Sequence, residues 1–272
     1  MTEKRLKPYP KLFARYYDFL VYNRQTVEAS EIELDFISWA MDEVCACEVH
    51  KILDVGCGNG RFLIPLVRRG FEVVGLDNSP EMLEECRRRL SMNNLRAELV
   101  RSDLMDMSYA SEFDALICMD SVICYLLDAE RIIRALKKFR QALRPTGLLI
   151  LENWNMLSQW ELLEKEISEI RGNDLVRIDI KEKNHYNPFT SIWKIEMDAE
   201  IIDEGRSYKL KHTETLRAMT VGEMRMYLRE AGFSQVTEYP DFDRSKSGNK
   251  DGENMIFVCG NDNSPAEKGF TP

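Results

Sequence analysis

No stretch of this sequence approaches the roughly 20 consecutive apolar residues that cross a bilayer, so a membrane-spanning helix is not expected. Cysteine offers no disulfide framework either, since there are seven, an odd number at irregular spacing. That usage suits a reducing, cytoplasmic setting. Cys45 and Cys47 form a C-x-C pair, but no second Cys or His pair completes a four-ligand set. No metal is expected, and the pair reads as the end of a helix. Excess positive charge is missing too. The formal net charge is -9, which repels phosphate backbones and disfavours a nucleic-acid partner. The short basic runs Arg87-Arg88-Arg89 and Lys137-Lys138 fall inside predicted helices, as solvated faces. Met-Thr-Glu-Lys-Arg at the start leads into no apolar segment, so no signal peptide is expected. Internal repeats and low-complexity tracts are absent.

What is present is the composition of a globular α/β protein, 44% hydrophobic and 31% charged over 272 residues. Strands and helices alternate through the first half, the pattern of a parallel sheet covered on both faces. Lys51 to Val55 reads as a buried strand running into Gly56-Cys57-Gly58-Asn59-Gly60. A helix follows, closed by Arg68-Arg69-Gly70, and Phe71 to Leu76 is the second strand. Ser79, with Pro80 and Glu81 behind it, starts a helix whose apolar stripe is Leu83, Cys86 and Leu90. Leu99 and Val100 lie on a third strand and Phe113 to Met119 on a fourth. Ile132, Leu136, Phe139 and Leu143 recur at helical spacing, and Pro145 and Gly147 are expected to stop that helix. Leu148 to Leu151 form a fifth strand ending in Glu152-Asn153-Trp154. In such a doubly wound sheet a ligand crevice lies beyond the carboxyl ends of the strands.

The period changes after about residue 174. Trp193, Ile195, Met197, Ala199 and Ile201 alternate with charged residues, as in a half-buried antiparallel strand. Asp203-Glu204-Gly205 turns the chain, Arg206 to Arg217 returns it, and Val176, Ile178 and Ile180 suggest an earlier partner. Thr220 and Glu223 then form a capping box for a helix ending at Gly232, with strands near Val236 and Ile256 to Val258. The expected organisation is an N-terminal lid helix (1–29), a ligand-binding core (30–155) and an antiparallel insertion covering the acceptor site (156–218). A return to the core (219–260) and a loose tail (261–272) complete it.

The glycine loop alone fits several nucleotides, so spacing and charge decide. A dinucleotide fingerprint, G-x-G-x-x-G, would need its third glycine where Arg61 stands. Asp54, just ahead of the loop, would repel a pyrophosphate and suits a ligand with an amino group and a sulfonium. Leu53-Asp54-Val55-Gly56-Cys57-Gly58-Asn59-Gly60-Arg61 is followed by Gly75-Leu76-Asp77-Asn78-Ser79-Pro80-Glu81-Met82-Leu83, then Arg101-Ser102-Asp103 and Phe113-Asp114-Ala115. Over roughly residues 50 to 155 this order resembles the class I S-adenosylmethionine-dependent methyltransferases. The resemblance implies a seven-stranded, mostly parallel Rossmann-like sheet. It implies that Gly56, Gly58 and Gly60 admit the methionine part of S-adenosylmethionine and that Asp54 holds its amino group. Asp77 would take the ribose hydroxyls, with Asn78 and Met82 beside it. Asp103 would accept from the adenine amine near Ser102 and Leu104, and the Met119 backbone would close the methionine side. Arg61 is either part of this site or a solvated helix residue.

Phe13-Ala14-Arg15-Tyr16-Tyr17-Asp18, together with the insertion after the fifth strand, resembles the small-molecule N-methyltransferases of the sugar-amine and glycine/sarcosine type. In that group an N-terminal tyrosine covers the cofactor, here Tyr17; core aromatics on an amphipathic helix are the alternative. On the Arg206 strand, His212 and Glu214 share the face of Leu210 and Leu216, which is costly unless they are paired or functional. With Glu152 they are the candidate catalytic residues, and a mutually bonded structural pair is the other account of His212 and Glu214. Trp154 is placed to pack against a cationic or hydrophobic acceptor. The position that carries Asn/Asp-Pro-Pro-aromatic in adenine and glutamine N-methyltransferases reads Asp120-Ser121-Val122-Ile123, which disfavours those chemistries. Three functions stay open: methylation of a small molecule at an amine nitrogen, methylation of a protein side chain, and cofactor binding without catalysis.

Overall fold

The computed structural model describes residues 9–22, 27–162, 165–247 and 252–260. The expected tail, 261–272, and parts of the expected lid, 1–8 and 23–26, lie outside the described residues. The chain opens with two short helices, α1 (Lys11–Arg15) and α2 (Tyr17–Tyr22). Next comes α3 (Glu31–Trp39), started by a capping box between Ser30 and Glu33 and extended by a π-helical turn, Ala40–Val44. Cys45 ends that turn.

The core then follows as β1 (Lys51–Val55), α4 (Leu63–Arg68), β2 (Glu72–Asp77), α5 (Pro80–Met92), β3 (Glu98–Arg101), β4 (Phe113–Cys118), α6 (Ala129–Ala142) and β5 (Leu143–Trp154). Ser79 caps α5 with its side chain on the Met82 amide, and Asp128 does the same for α6 on Arg131. The insertion is a four-stranded antiparallel sheet, β6 (Glu166–Gly172), β7 (Val176–Asn187), β8 (Ile192–Asp203) and β9 (Arg206–Arg217). The chain returns through α7 (Val221–Glu230), β10 (Gln235–Pro240) and β11 (Asn254–Gly260).

The main sheet has seven strands in the order β10-β11-β5-β4-β1-β2-β3, parallel except that β11 runs against both its neighbours. Its faces bury separate cores. Ile132, Leu136 and Phe139 of α6 and Met224 and Leu228 of α7 cover one; α3, α4 and α5 cover the other with Leu34, Ile37, Leu63, Leu66 and Leu83. The chain leaves β1 toward β2 and β3, then re-enters beside β1 as β4. That reversal opens a crevice at the carboxyl ends of β1 and β4. No described helix is long and apolar enough to cross a membrane.

Two local expectations need correction. Leu143 does not extend the helical stripe of α6: the helix ends at Ala142, and Leu143 already pairs with Phe113 as the first residue of β5. The expected change of period at residue 174 also misses β6, which pairs along β7 from Glu166 to Gly172. As an edge strand with an exposed face, β6 carries no apolar alternation to announce it.

The inner face of the insertion meets the main sheet at one end only, where Trp193 stacks on Trp154 of β5. Ile178, Ile180, Ala199, Ile201 and Leu210 pack on Phe13, Tyr16, Phe19 and Leu20 of α1 and α2, with Tyr16 Oη donating to Asp203 at 2.6 Å. Over this part of the insertion the N-terminal helices are the layer between the two sheets.

Candidate functional site

The β1–β4 crevice continues into a cavity of about 520 Å3, floored by the glycine loop and roofed by Tyr9 and Pro10 ahead of α1, Tyr17 of α2, and β9. The floor is set by backbone geometry. Gly56 has φ +76°, and a Cβ there would meet Val122 Cγ2 at 2.4 Å. Gly58 and Gly60 also have positive φ, so the loop is built for glycine by its own conformation and packing.

Asp77, at the end of β2, clasps this loop. Its Oδ2 accepts from the Gly58 amide at 2.9 Å and its Oδ1 from the Ser79 amide at 2.8 Å. The Asn78 amide is a third backbone donor to this carboxylate, whose two oxygens together offer about four acceptor sites, so one is left for a ligand hydroxyl. Burial raises the Asp77 pKa, and these backbone donors oppose the rise. Asp54, beneath the loop, is buried, and its Oδ2 has no partner among the described residues. Burial, reinforced by the charges of Asp120 and Asp77, pushes its carboxyl well above the usual range. A buried carboxyl with an orphaned oxygen fits a cationic amino group, as S-adenosylmethionine would bring.

Of the residues assigned to the cofactor, Tyr17, Gly56, Gly58, Asp77, Asn78 and Met82 line the cavity. So do Ser102 and Leu104. Gly60, Asp54, Asp103 and Met119 sit behind this surface. Asp103 Oδ1 accepts from Met105 N at 2.9 Å, and the Met119 carbonyl accepts from Val122 N at 3.3 Å. Arg61 is no solvated residue. It lines the cavity, donates to Glu33 at 2.6 Å and Asp120 at 3.2 Å, and lies over the rings of Phe62 and Tyr22.

The roof holds a second cluster. Tyr9 Oη and Tyr125 Oη are 2.5 Å apart, Tyr125 donates to Glu214 Oε1 at 2.9 Å, and His212 Nε2 lies 3.4 Å from the same oxygen. The His212 ring packs on Phe13, centroids 4.1 Å apart, and on Tyr9 at 5.6 Å. Burial raises the pKa values of Tyr9 and Tyr125 well above that of an ordinary phenol, so both hydroxyls stay protonated. The cluster therefore presents one carboxylate and one imidazole ringed by aromatic faces. His212 and Glu214 are neighbours that also face the cavity, so pairing and exposure to a ligand coexist.

Glu152 is elsewhere. It does not line the cavity; its Oε2 accepts from the Ser121 amide at 3.1 Å. Asp120 and Ser121 both have positive φ, 52° and 58°, a strained non-glycine pair. Glu152 holds it from one side, and Ser121 Oγ, accepting from Trp154 N at 2.7 Å, ties it to the end of β5. Burial, with Asp120 adding to it, raises the Glu152 pKa to about 8. Trp154 stacks on Trp193 instead of lining the cavity. Asn153, fully buried, turns away from this side, and both its polar atoms lack partners among the described residues.

Four contributors escape sequence reading. Tyr9 and Tyr125 reach Glu214 from distant segments. Asp120 faces the cavity because its own backbone is left-handed. Asp18, the last residue of the N-terminal motif, is 3% exposed and joins the lid to the floor. It accepts from Asn59 Nδ2 at 2.7 Å, Arg89 Nη2 at 2.6 Å and the Val27 amide at 2.9 Å. No group of three or more potential metal ligands occurs among the described residues.

Residues 52–147 match the family model of a methyltransferase domain. A glycine/sarcosine N-methyltransferase of Parasynechococcus marenigrum is 27% identical over 229 residues, 79% of this chain and 73% of that protein. A dTDP-3-amino-3,4,6-trideoxy-alpha-D-glucopyranose N,N-dimethyltransferase of Streptomyces venezuelae is 32% identical over 107 residues, 39% of this chain and 44% of that one. The solved S-adenosylmethionine-dependent methyltransferase from Clostridium acetobutylicum has the same fold, with TM-score 0.76 and 17% identity. That match covers 92% of this chain and 98% of the other.

Proposed function

We propose that this chain, an S-adenosylmethionine-dependent methyltransferase, transfers the methyl group to an amine nitrogen of a small molecule. The observation that carries the reading is the cluster roofing the cavity, where the Glu214 carboxylate and the His212 imidazole face the ligand space among tyrosine rings. Such a wall recognises an ammonium by charge and by aromatic faces. The cavity is walled by Tyr9, Pro10, Tyr17 and β9, which suits a small acceptor better than a polypeptide. The two N-methyltransferases above support the same acceptor chemistry. Seven free thiols support work in a reducing, cytoplasmic setting.

S-adenosylmethionine supplies an already activated methyl group on a sulfonium and leaves as the thioether. The protein's share is to hold, orient and deprotonate. Asp54, Asp77 and the glycine loop would hold the cofactor, with Tyr17 above it. Glu214 and His212 would position the acceptor ammonium, take up its proton and free the nitrogen lone pair. Tyr9 and Tyr125 keep Glu214 aimed, since their protonated hydroxyls form a donor chain that ends on its Oε1. Glu152 fixes the Asp120–Ser121 turn between the two halves.

The test is an acceptor screen with methyl-labelled cofactor, followed by Glu214→Gln on the best acceptor. Turnover should fall by about 10²–10⁴-fold, the scale of general-base assistance, with cofactor affinity unchanged. Normal turnover per folded molecule in Glu214→Gln would remove the roof cluster from the reaction.

A further inference from the structure

Six of the seven cysteines are buried, and the seventh, Cys47, is half-buried. It lies at the amino ends of the core strands, opposite the ligand cavity, in the segment that joins the π-helical turn to β1. That segment bends at Ala46 and Cys47, which brings Cys47 back onto Cys45. The two Sγ atoms are 3.3 Å apart, in van der Waals contact. Both are held from the same side. Cys45 Sγ points to the carbonyls of Thr146 at 3.5 Å and Asp114 at 3.9 Å, and Cys47 Sγ to the same Thr146 oxygen at 3.8 Å. Asp114 Oδ2 accepts from the His50 and Lys51 amides at 3.0 and 2.9 Å, so the far end of the segment is tied to the same strand. The fold therefore meets in advance the entropy of bringing the two thiols together.

Such a pair can chelate a metal or form a disulfide. A closed structural metal site takes about four ligands. No group of three or more His, Cys, Asp or Glu able to hold one occurs among the described residues. A disulfide needs only the two sulfurs, at about 2.0 Å, which leaves about 1.3 Å to close. We propose that Cys45 and Cys47 are a reversible oxidation site, converted by low-molecular-weight disulfides into an intramolecular disulfide. Cys47 reacts first because a small disulfide can reach it. Burial pushes the Cys45 thiol up to about 12, so that it waits protonated. The Cys47 thiolate attacks one sulfur of the small disulfide, forms a mixed disulfide and releases one small thiolate. Cys45 Sγ then attacks Cys47 Sγ and expels the second. The two protons of the protein thiols end on the two released thiols, and the small disulfide takes up the two electrons that the protein loses. Excess small thiol drives the same steps backwards. In a reducing setting the pair rests as a dithiol and oxidation is transient. The internal bond also withdraws the accessible thiol from the irreversible steps to sulfinic and sulfonic acids.

The full chain, reduced and freed of reductant, is equilibrated with bis(2-hydroxyethyl) disulfide at graded ratios to 2-mercaptoethanol. Remaining thiols are then blocked with N-ethylmaleimide and mapped by peptide mass spectrometry. Two of the seven thiols should be lost, as a Cys45–Cys47 bond that dithiothreitol reverses. Cys45→Ser should stop at one mercaptoethanol adduct on Cys47, and Cys47→Ser should stay unmodified. A peptide of residues 43–50 serves as the unstructured reference. The folded protein should reach half oxidation at a disulfide proportion about tenfold or more below that of the peptide, because the fold raises the effective concentration of one thiol at the other. By linkage the oxidised protein should melt at a higher temperature than the reduced one. No loss of thiols, a lasting adduct on Cys47 in the wild type, a bond to another cysteine, or half oxidation at the peptide's proportion would overturn the proposal. Should either serine variant fail to fold, the wild-type bond map and the peptide comparison decide by themselves.

Discussion

Replacing Asp77 tests the cofactor site most directly, but the structure shows that one substitution disturbs two things. The carboxylate accepts from the Gly58 and Ser79 amides at 2.9 and 2.8 Å. Charge-assisted bonds of this kind contribute about 1.5–3 kcal/mol each, and they are coupled through one loop. Asp77→Ala should therefore destabilise the protein by about 2–4 kcal/mol even without ligand. The ribose contacts would add a loss of about 1–3 kcal/mol in cofactor affinity. A plain affinity measurement mixes the two effects.

A cycle over protein and ligand separates them. S-adenosylhomocysteine and its 2′,3′-dideoxy analogue are titrated calorimetrically into the wild type and Asp77→Ala. Damage to the glycine loop weakens both ligands alike and cancels, so the remaining coupling is the ribose term. The wild type should prefer the hydroxylated ligand by about 5- to 150-fold more than the variant does. A coupling of zero, in a variant shown by circular dichroism to be folded, would mean that Asp77 serves the loop alone.

Two further outcomes are expected. Asp18→Asn leaves the buried Arg89 with Glu85 as its one counterion among the described residues and loosens the lid from Asn59; stability should fall by about 3–5 kcal/mol and the cofactor off-rate should rise. Urea melts and stopped-flow chase read both, and unchanged values would remove Asp18 from lid seating. Glu152, with its pKa raised from 4.5 to about 8, keeps a proton in the folded protein over a range where the unfolded chain has lost it. Stability should thus decline as pH rises through that window, by up to about 1.4 kcal/mol per pH unit from this group. Glu152→Gln keeps an acceptor for the Ser121 amide and should flatten the decline; parallel slopes in urea melts from pH 5 to 8.5 would refute the assignment.

What was legible follows sequence distance. The glycine loop, the Ser79 cap and the acidic ends of the core strands are local features, each specified within about ten residues, so motif and spacing suffice to place them. The roof cluster is not local. Tyr9 and Tyr125 are 116 residues apart and Tyr125 and Glu214 are 89 apart, and no period in the chain connects them. Alternation along β9 did put His212 and Glu214 on one face, but it could not show that this face meets Phe13 and Tyr9. The left-handed pair Asp120–Ser121 was illegible for another reason. Neither residue type requires positive φ, and only the acceptor at Glu152 and the tie to Trp154 hold it there. Sequence therefore placed Glu152 near the site, whereas its hydrogen bond shows the support it gives.

The lid gives these pieces a common logic. Helices of five and six residues have no autonomous stability, because nucleation costs more than so few backbone bonds return. Their order here comes from outside contacts at two poles. Asp18 holds them to Asn59 of the glycine loop and to Arg89 of α5, while Phe13 and Tyr16 seat them on His212 and Asp203 of the insertion. Tyr9 and Tyr17 complete the cavity wall only when the lid is so seated. Seating free energy is therefore shared between the glycine-loop floor and the β9 roof, and a ligand that orders either surface would lower the cost of closing the other. The aromatic wall that Tyr9 and Tyr17 give the cavity would thus be linked thermodynamically to binding at either surface.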